Sequence, residues 1–193
     1  MSRMLDAGEE LFLSGGAAQL KLNLIIEKSA SSTGSFYARF TDMQGYLDAL
    51  HSRALGRVAE AMAPVIANSA KEKSLLEALT TYLTELIAVM RKNRGALYFF
   101  AVGSSQVSFT REKGAEFTLA MLGAFTDIVK PFMKQPMTDS SIRRLDLIAR
   151  QIAAMSFQII MFEQHEVSRL QLTDHDLAGE WATALNESLK PFI

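Results

Sequence analysis

The sequence predicts an all-α protein, a small N-terminal three-helix module followed by a larger C-terminal helical bundle, about nine helices in total. Three observations predict it. Apolar residues recur at helical spacing almost from end to end, and no run alternates apolar and polar at period two for long enough to make a strand. Only four prolines interrupt 193 residues. Apolar residues make up 49% of the chain, sufficient for a sizeable core.

Met1 to Leu13 places Met4, Leu5, Leu11 and Phe12 on one side of a first helix, and Gly15 and Gly16 stop it. Leu22 to Lys28 forms a short second helix. Ser29 to Ser31 make a turn, and Ser32 caps a third helix ending near Phe40. Asp42 caps a long fourth helix from Met43 to about Ala67, whose last turn Pro64 kinks or shortens. Leu75, Leu79, Tyr82, Leu83, Leu86 and Met90 step along one face of a fifth helix, with Arg91, Lys92 and Arg94 at its C-terminal end, where cations suit the dipole. A shorter helix spans Arg94 to Gly103, and a seventh spans Thr110 to Met133, ended by the Pro131 to Pro136 segment. Asp139 caps an eighth helix to about Val167, and Thr173 or Asp174 caps a ninth that carries Leu177, Trp181, Leu185, Leu189 and Phe192 on one stripe. Three short helices before a long one divide the chain into residues 1–45 and residues 46–193.

Composition narrows the function classes. The formal net charge of −1 advertises neither a nucleic-acid-wide basic field nor an acidic one. The absence of cysteine excludes disulfides, zinc–thiolate sites and cysteine nucleophiles, and fits a reducing compartment. MSRMLDAGEELF carries charges where a signal peptide needs an apolar run, and the apolar-rich run from Ile152 to Phe162 is too short to span a bilayer. The expectation is a cytoplasmic protein with no membrane partner.

One stretch carries chemical information. SASSTGSFYARF, Ser29 to Phe40, sets hydroxyl side chains and a glycine ahead of three aromatics, between two apolar helices. Two short helices joined by a tight turn, the second starting with small polar side chains, describe a helix-turn-helix. A recognition helix enters the major groove end-on, so its first turn needs short groups that reach base edges or phosphates. Ser32, Thr33 and Ser35 fit; Gly34 lets the backbone approach the sugar-phosphate wall; Phe36 and Phe40, four apart, turn back into the module's core; Tyr37 offers a hydroxyl to phosphate. Read by itself, the same pattern also suits an ordinary interhelical turn with aromatic anchors.

These residues resemble the TetR family of transcriptional regulators. MLDAGEELF is similar to that family's first helix and IIEKSASSTGSFYARF to its second and third, with Ile25, Ser32, Gly34, Tyr37 and Phe40 on the characteristic isoleucine, serine, glycine, tyrosine and closing aromatic. The resemblance covers about the first fifty residues; beyond them only helix count and order agree. Four positions depart from the pattern. Ala30 replaces the turn glycine, Ser31 the apolar turn residue, Lys21 the threonine that caps the second helix, and Met43 the lysine that touches phosphate. Over residues 1–50, four basic residues against six acidic ones give four minus six, a net charge of −2, low for phosphate neutralisation.

The resemblance implies double-stranded operator DNA as partner, with Ser32, Thr33, Gly34, Ser35, Tyr37 and Arg39 as DNA-binding residues. It implies a small-molecule effector bound among the middle helices, a homodimer formed through the last two helices with Trp181 as an anchor, and repression relieved by the effector. Candidates to line the pocket are Tyr82, Phe99, Phe100, Phe117, Met121 and Phe125, joined by Met155 and Phe157; core packing is the competing role for each. Twelve phenylalanines and ten methionines suit an apolar or aromatic effector. In the eighth helix IAAMSFQIIMF is apolar on more than one side, which fits burial against both its own core and a second subunit, or the place of a central helix within a monomer. His51, His165 and His175 match no metal-ligand spacing, no motif asks for a cofactor, and no phosphate loop, nucleophile elbow or carboxylate pair points to an enzyme.

Overall fold

The computed structural model describes residues 2–103 and 108–193. Their regular structure is helical throughout. In chain order the helices are α1 (Ser2–Gly15), α2 (Leu22–Lys28), α3 (Thr33–Tyr37), α4 (Met43–Ser69), α5 (Leu75–Lys92), α6 (Arg94–Gly103), α7 (Ser108–Val129), α8 (Asp139–Met161), α9 (Gln164–Val167) and α10 (Asp174–Leu189). Single 3-10 turns lie at Ala17–Gln19, Lys130–Phe132 and Lys190–Phe192.

Several boundaries differ from expectation, each for a local reason. The expected eighth helix breaks after Met161: Phe162 is extended (φ −128°, ψ 151°), and the Glu166 carboxylate accepts from the Glu163 backbone N–H at 2.6 Å, starting α9 as half of a capping box. The expected seventh helix ends at Val129 and tightens into the turn containing Pro131. Thr138, not Asp139, caps α8, its hydroxyl accepting from Ser141 N–H at 3.2 Å. Pro64 does not shorten α4, which runs on to Ser69. Pro64 and Glu60 are both exposed, so the carbonyl left without a donor is one that water can serve. The expected third helix, to near Phe40, ends at Tyr37 with Ala38 as its C-cap. Three other expected ends hold. Asp42 accepts from Gly45 N–H at 2.8 Å at the start of α4, Thr173 caps α10, and α1 stops where Gly16 takes a positive φ of 68°.

The chain folds as two compact units, Met1–Arg57 with Asn93–Gly114, and Val58–Lys92 with Ala115–Ile193.

In the first unit a buried cluster gathers Met4 and Leu5 of α1, Ile25 of α2, Phe36 of α3, Phe40, and Tyr46, Leu50 and Ala54 of α4. Three rings form its centre. Phe36 lies 5.2 Å from Phe40 and 5.3 Å from Tyr46, and Phe40 meets Tyr46 edge-on at 5.1 Å, centroid to centroid. The Tyr46 hydroxyl crosses to α1 and donates to the Met4 carbonyl at 2.8 Å. This close approach explains Gly8: a Cβ there would stand 1.9 Å from the Tyr46 hydroxyl oxygen. Burial, with the Glu9 charge next in size, pushes the Tyr46 phenol well above its ordinary range, so it stays a donor. His51, on α4, is also buried, and burial lowers its pKa against the opposing pull of Asp48.

Ion pairs surround this core. Arg57 grips Glu9 with both terminal nitrogens at 2.6 and 2.9 Å, Arg53 bonds Asp6, and Lys28 reaches Glu10 at 2.8 Å. The acidic face of α1 is thereby matched by cations from α4 and α2. Counted over residues 1–57, six basic minus six acidic residues leave zero net charge.

In the second unit α5 packs on α10 and α8. Leu79, Leu83 and Ile87 of α5 and Ala178 and Ala182 of α10 are fully buried, the alanines allowing close approach of the two helices. Tyr82 packs on Phe125 of α7 at 6.1 Å. Arg91 in the last turn of α5 donates through Nε to both oxygens of Asp174, at 2.8 and 2.7 Å, at the start of α10, so each charge also suits the end of its own helix. α8 buries Leu145, Ile148 and Ile152 and leaves Ile142, Leu147 and Phe157 exposed.

Gly8→Ala is expected to lower stability by about 1–3 kcal/mol, the range for overpacking a filled core. Urea unfolding measures it, and combining the change with Tyr46→Phe should recover part of the loss. The hydrogen bond from Arg53 holds the Asp6 carboxyl below its usual range, against a smaller opposing effect of burial. A depressed carboxylate stabilises the fold above its unfolded pKa, about 3.9, and loses that contribution as pH falls through the lower folded value. The difference in urea midpoint between wild type and Asp6→Asn should therefore be full at neutral pH and shrink below about pH 4.

Candidate nucleic-acid interface

The segment from Ser29 to Phe40 begins at the end of α2. Ser31 N–H bonds the Ile26 carbonyl at 3.0 Å and Ala30 N–H bonds the Glu27 carbonyl at 3.1 Å, the hydrogen-bond pair of a Schellman motif. Such a turn needs a left-handed residue, and Ala30 supplies it with φ 49° where glycine is usual. Lys21, at the cap position of α2, makes no side-chain cap bond, and Met43 packs partly buried against the core cluster instead of presenting a charge. At the start of α3 the Ser32 hydroxyl accepts from Ser35 N–H at 3.1 Å.

The side chains of α3 and its flanking residues divide between core and surface. Phe36 is 0% and Phe40 4% exposed, whereas Tyr37 is 51% exposed and stands edge-on to Phe36 at 5.4 Å. Ser32, Thr33, Gly34 and Arg39 are exposed and Ser35 is half-buried; Arg39 Nη1 donates to the Ser35 carbonyl at 2.9 Å. All six positions expected to touch DNA thus lie on one short segment whose aromatic side faces the core. Ser32, Ser35 and Arg39 also border a polar notch of about 370 Å³, closed by Ser31 and Ala30 of the turn and by Arg3 and Met4 of α1. Sequence reading missed Arg3 and Ser31 as site residues. Ser31 was visible only as a departure from a pattern, and Arg3 only as one charge in a count.

Six of the eight residues expected around an effector have described side chains. Tyr82 and Phe125 meet in the core of the second unit, with the Tyr82 hydroxyl pushed up by burial. Phe117 and Met121 are half-buried on α7, and Phe157 is half exposed. Phe99 and Phe100 lie outside the described residues as far as their side chains are concerned. Met155 borders a cleft of about 240 Å³, together with Arg91, Gln158, Ile159, Phe162 and Leu177. Phe162 reaches it because α8 breaks there, which the helical periodicity did not reveal. Among the described residues no group of three acidic or histidine side chains is placed to hold a metal ion, and no helix is long and apolar enough to cross a membrane.

A helix-turn-helix and a second helical unit make up a fold that solved structures share. A protein described as a TetR-family transcriptional regulator from Mesorhizobium loti superposes with a TM-score of 0.74 over 99% of this chain and 95% of its own, at 15% identity. The transcriptional regulator FadR from Bacillus subtilis, in complex with stearoyl-CoA, gives 0.68 over 97% and 98% at 13% identity. The ketosteroid transcriptional regulator of Mycobacterium tuberculosis gives 0.55 over 97% and 94%, also at 13% identity. No sequence-family model and no curated relative matches the chain. The fold is that of the TetR-family transcriptional regulators.

Ala30→Gly is expected to raise stability by about 1 kcal/mol, since the left-handed conformation costs an L-residue about 1–2 kcal/mol and Ala30 is exposed with no packing to lose. A rise in urea midpoint checks it.

Proposed function

We propose that the chain is a ligand-responsive, DNA-binding transcriptional regulator, a repressor released from its operator by a small apolar or aromatic effector. The observation that carries this reading is the division of α3 and its flanks: Phe36 and Phe40 are locked in the core while Ser32, Thr33, Tyr37 and Arg39 are exposed. A helix held by its aromatic side and polar on the other is what entry into a major groove requires. Residues 1–45 serve as the DNA-binding part and residues 46–193 as the ligand-binding and dimerisation part. α8 and α10 pair with their copies in a homodimer, supported by exposed Ile142, Leu147 and Phe157, with half-buried Trp181 as an anchor. Two such modules read half-sites roughly 34–36 Å apart. The effector shifts that spacing through α4, and a coupling of about 1–3 kcal/mol gives a 5- to 150-fold response. The stearoyl-CoA and ketosteroid named for two structures of this fold support an apolar effector, as do Met155, Ile159 and Phe162 around the cleft. The protein works in the cytoplasm and catalyses no reaction.

A second reading keeps the architecture as a small-molecule-binding protein with little DNA affinity. The zero net charge over residues 1–57 favours it, because phosphate neutralisation supplies much of DNA affinity. Selection of random duplexes on the full-length protein, followed by anisotropy titration across salt, separates the two. The regulator is expected to hold a selected duplex with affinity falling steeply as salt rises, and Tyr37→Phe and Arg39→Ala to weaken it. Absence of any sequence-selective binding at low salt by the folded dimer selects the second reading.

A further inference from the structure

We propose that the notch between α1 and the α2–α3 turn seats one backbone phosphate of the bound duplex, with Arg3 as its principal cation. The proposal rests on the DNA-binding reading above and adds to it a contact from outside the helix-turn-helix.

The notch has the chemistry of a phosphate seat. Its polar lining comes from three segments: Arg3 in the first turn of α1, Ser31 in the turn, and Ser32, Ser35 and Arg39 on or just beyond α3. No carboxylate lines it. The acids of α1 are engaged elsewhere, Asp6 and Glu9 by Arg53 and Arg57 and Glu10 by Lys28. Among the described residues neither Arg3 nor Arg39 forms a salt bridge. Arg39 bonds the Ser35 carbonyl through Nη1, which leaves its other N–H donors for an anion. The Ser32 hydroxyl accepts from Ser35 N–H, so its proton remains to be donated. A volume of about 370 Å³ holds a phosphate group together with several waters.

Arg3 is also misplaced for stability alone. A cation in the first turn of a helix opposes the macrodipole, and Arg3 is exposed. An anion beside it removes the repulsion. The same seat makes up for Met43, which stands where the resembling family carries a phosphate-binding lysine. Positive charge missing at the start of α4 is supplied from the start of α1, close to the recognition segment.

The test uses the full-length protein and a duplex selected on it. Arg3→Ala is expected to bind that duplex roughly tenfold more weakly at 0.1 M salt, and to lower the slope of log affinity against log salt by about one, the signature of one lost phosphate contact. The loss should be equal for the selected duplex and one with mismatched bases, and Arg3→Lys should restore the slope. Thermal unfolding should show Arg3→Ala to be as stable as wild type or slightly more so. If Arg3→Ala keeps wild-type affinity and slope while Arg39→Ala does not, the phosphate seat is wrong and the DNA-binding reading stands. If wild type retains no duplex at any salt, both fall. Calorimetric titration with inorganic phosphate distinguishes the other source of the same chemistry. Phosphate binding abolished by Arg3→Ala, with an unchanged DNA slope, assigns the notch to a free anion and overturns the proposal.

Discussion

The candidate interface depends on the way one tyrosine closes a ring cluster. Tyr46 comes from the first turns of α4, packs against Phe36 and Phe40, and ends in a hydrogen bond to the Met4 carbonyl of α1. Three segments are thus fastened at a single point, and Gly8 is the vacancy that lets the phenol through. α3 is only five residues long, far too short to be stable alone. Its orientation comes from Phe36 and Phe40 and its start from the Ser32 cap. Phe36 and Phe40 are buried, and Thr33, Tyr37 and Arg39 are exposed.

Electrostatics in the first unit follow a similar division. α1 carries three acids, and cations of α4 and α2 meet all three. Each pair is partly exposed and adds little to stability, because water screens it. Their larger effect is on the local field: acids that would have repelled a polyanion are neutralised, and the two arginines beside the turn keep their charge. A module with no net charge can in this way still present a positive notch, because a phosphate responds to the charges within roughly a Debye length, about 8–10 Å, more than to the total.

The second unit shows why apolar composition alone does not locate a binding site. Its aromatic and methionine side chains are divided among core, cleft and surface, and residue type does not say which. Tyr82 and Phe125 fill the interior, Met155 borders a cleft, and Phe157 is half exposed. The cleft owes its form to the break at Phe162 and the segment that follows.

Much was legible in the residues themselves. Helical periodicity located nearly every helix, because burial of one face imposes the 3.6-residue repeat on the sequence. Capping chemistry marked Ser32, Asp42 and Thr173, because unsatisfied backbone N–H groups at a helix start are met by a side chain nearby in sequence. Other features were not legible, since they depend on residues remote in sequence. Arg3 reaches the notch only because α1 packs beside the turn, and Gly8 has its meaning only when Tyr46 lies against it. Arg53 and Arg57 correct a charge count that stopped at residue 50. Pro64 did not shorten α4, because exposure to water, a property of the folded surface, decides what a missing hydrogen bond costs. Local rules act over one turn of helix and can be read from the chain; which distant side chains share a surface is decided by packing, and the candidate site is made of those.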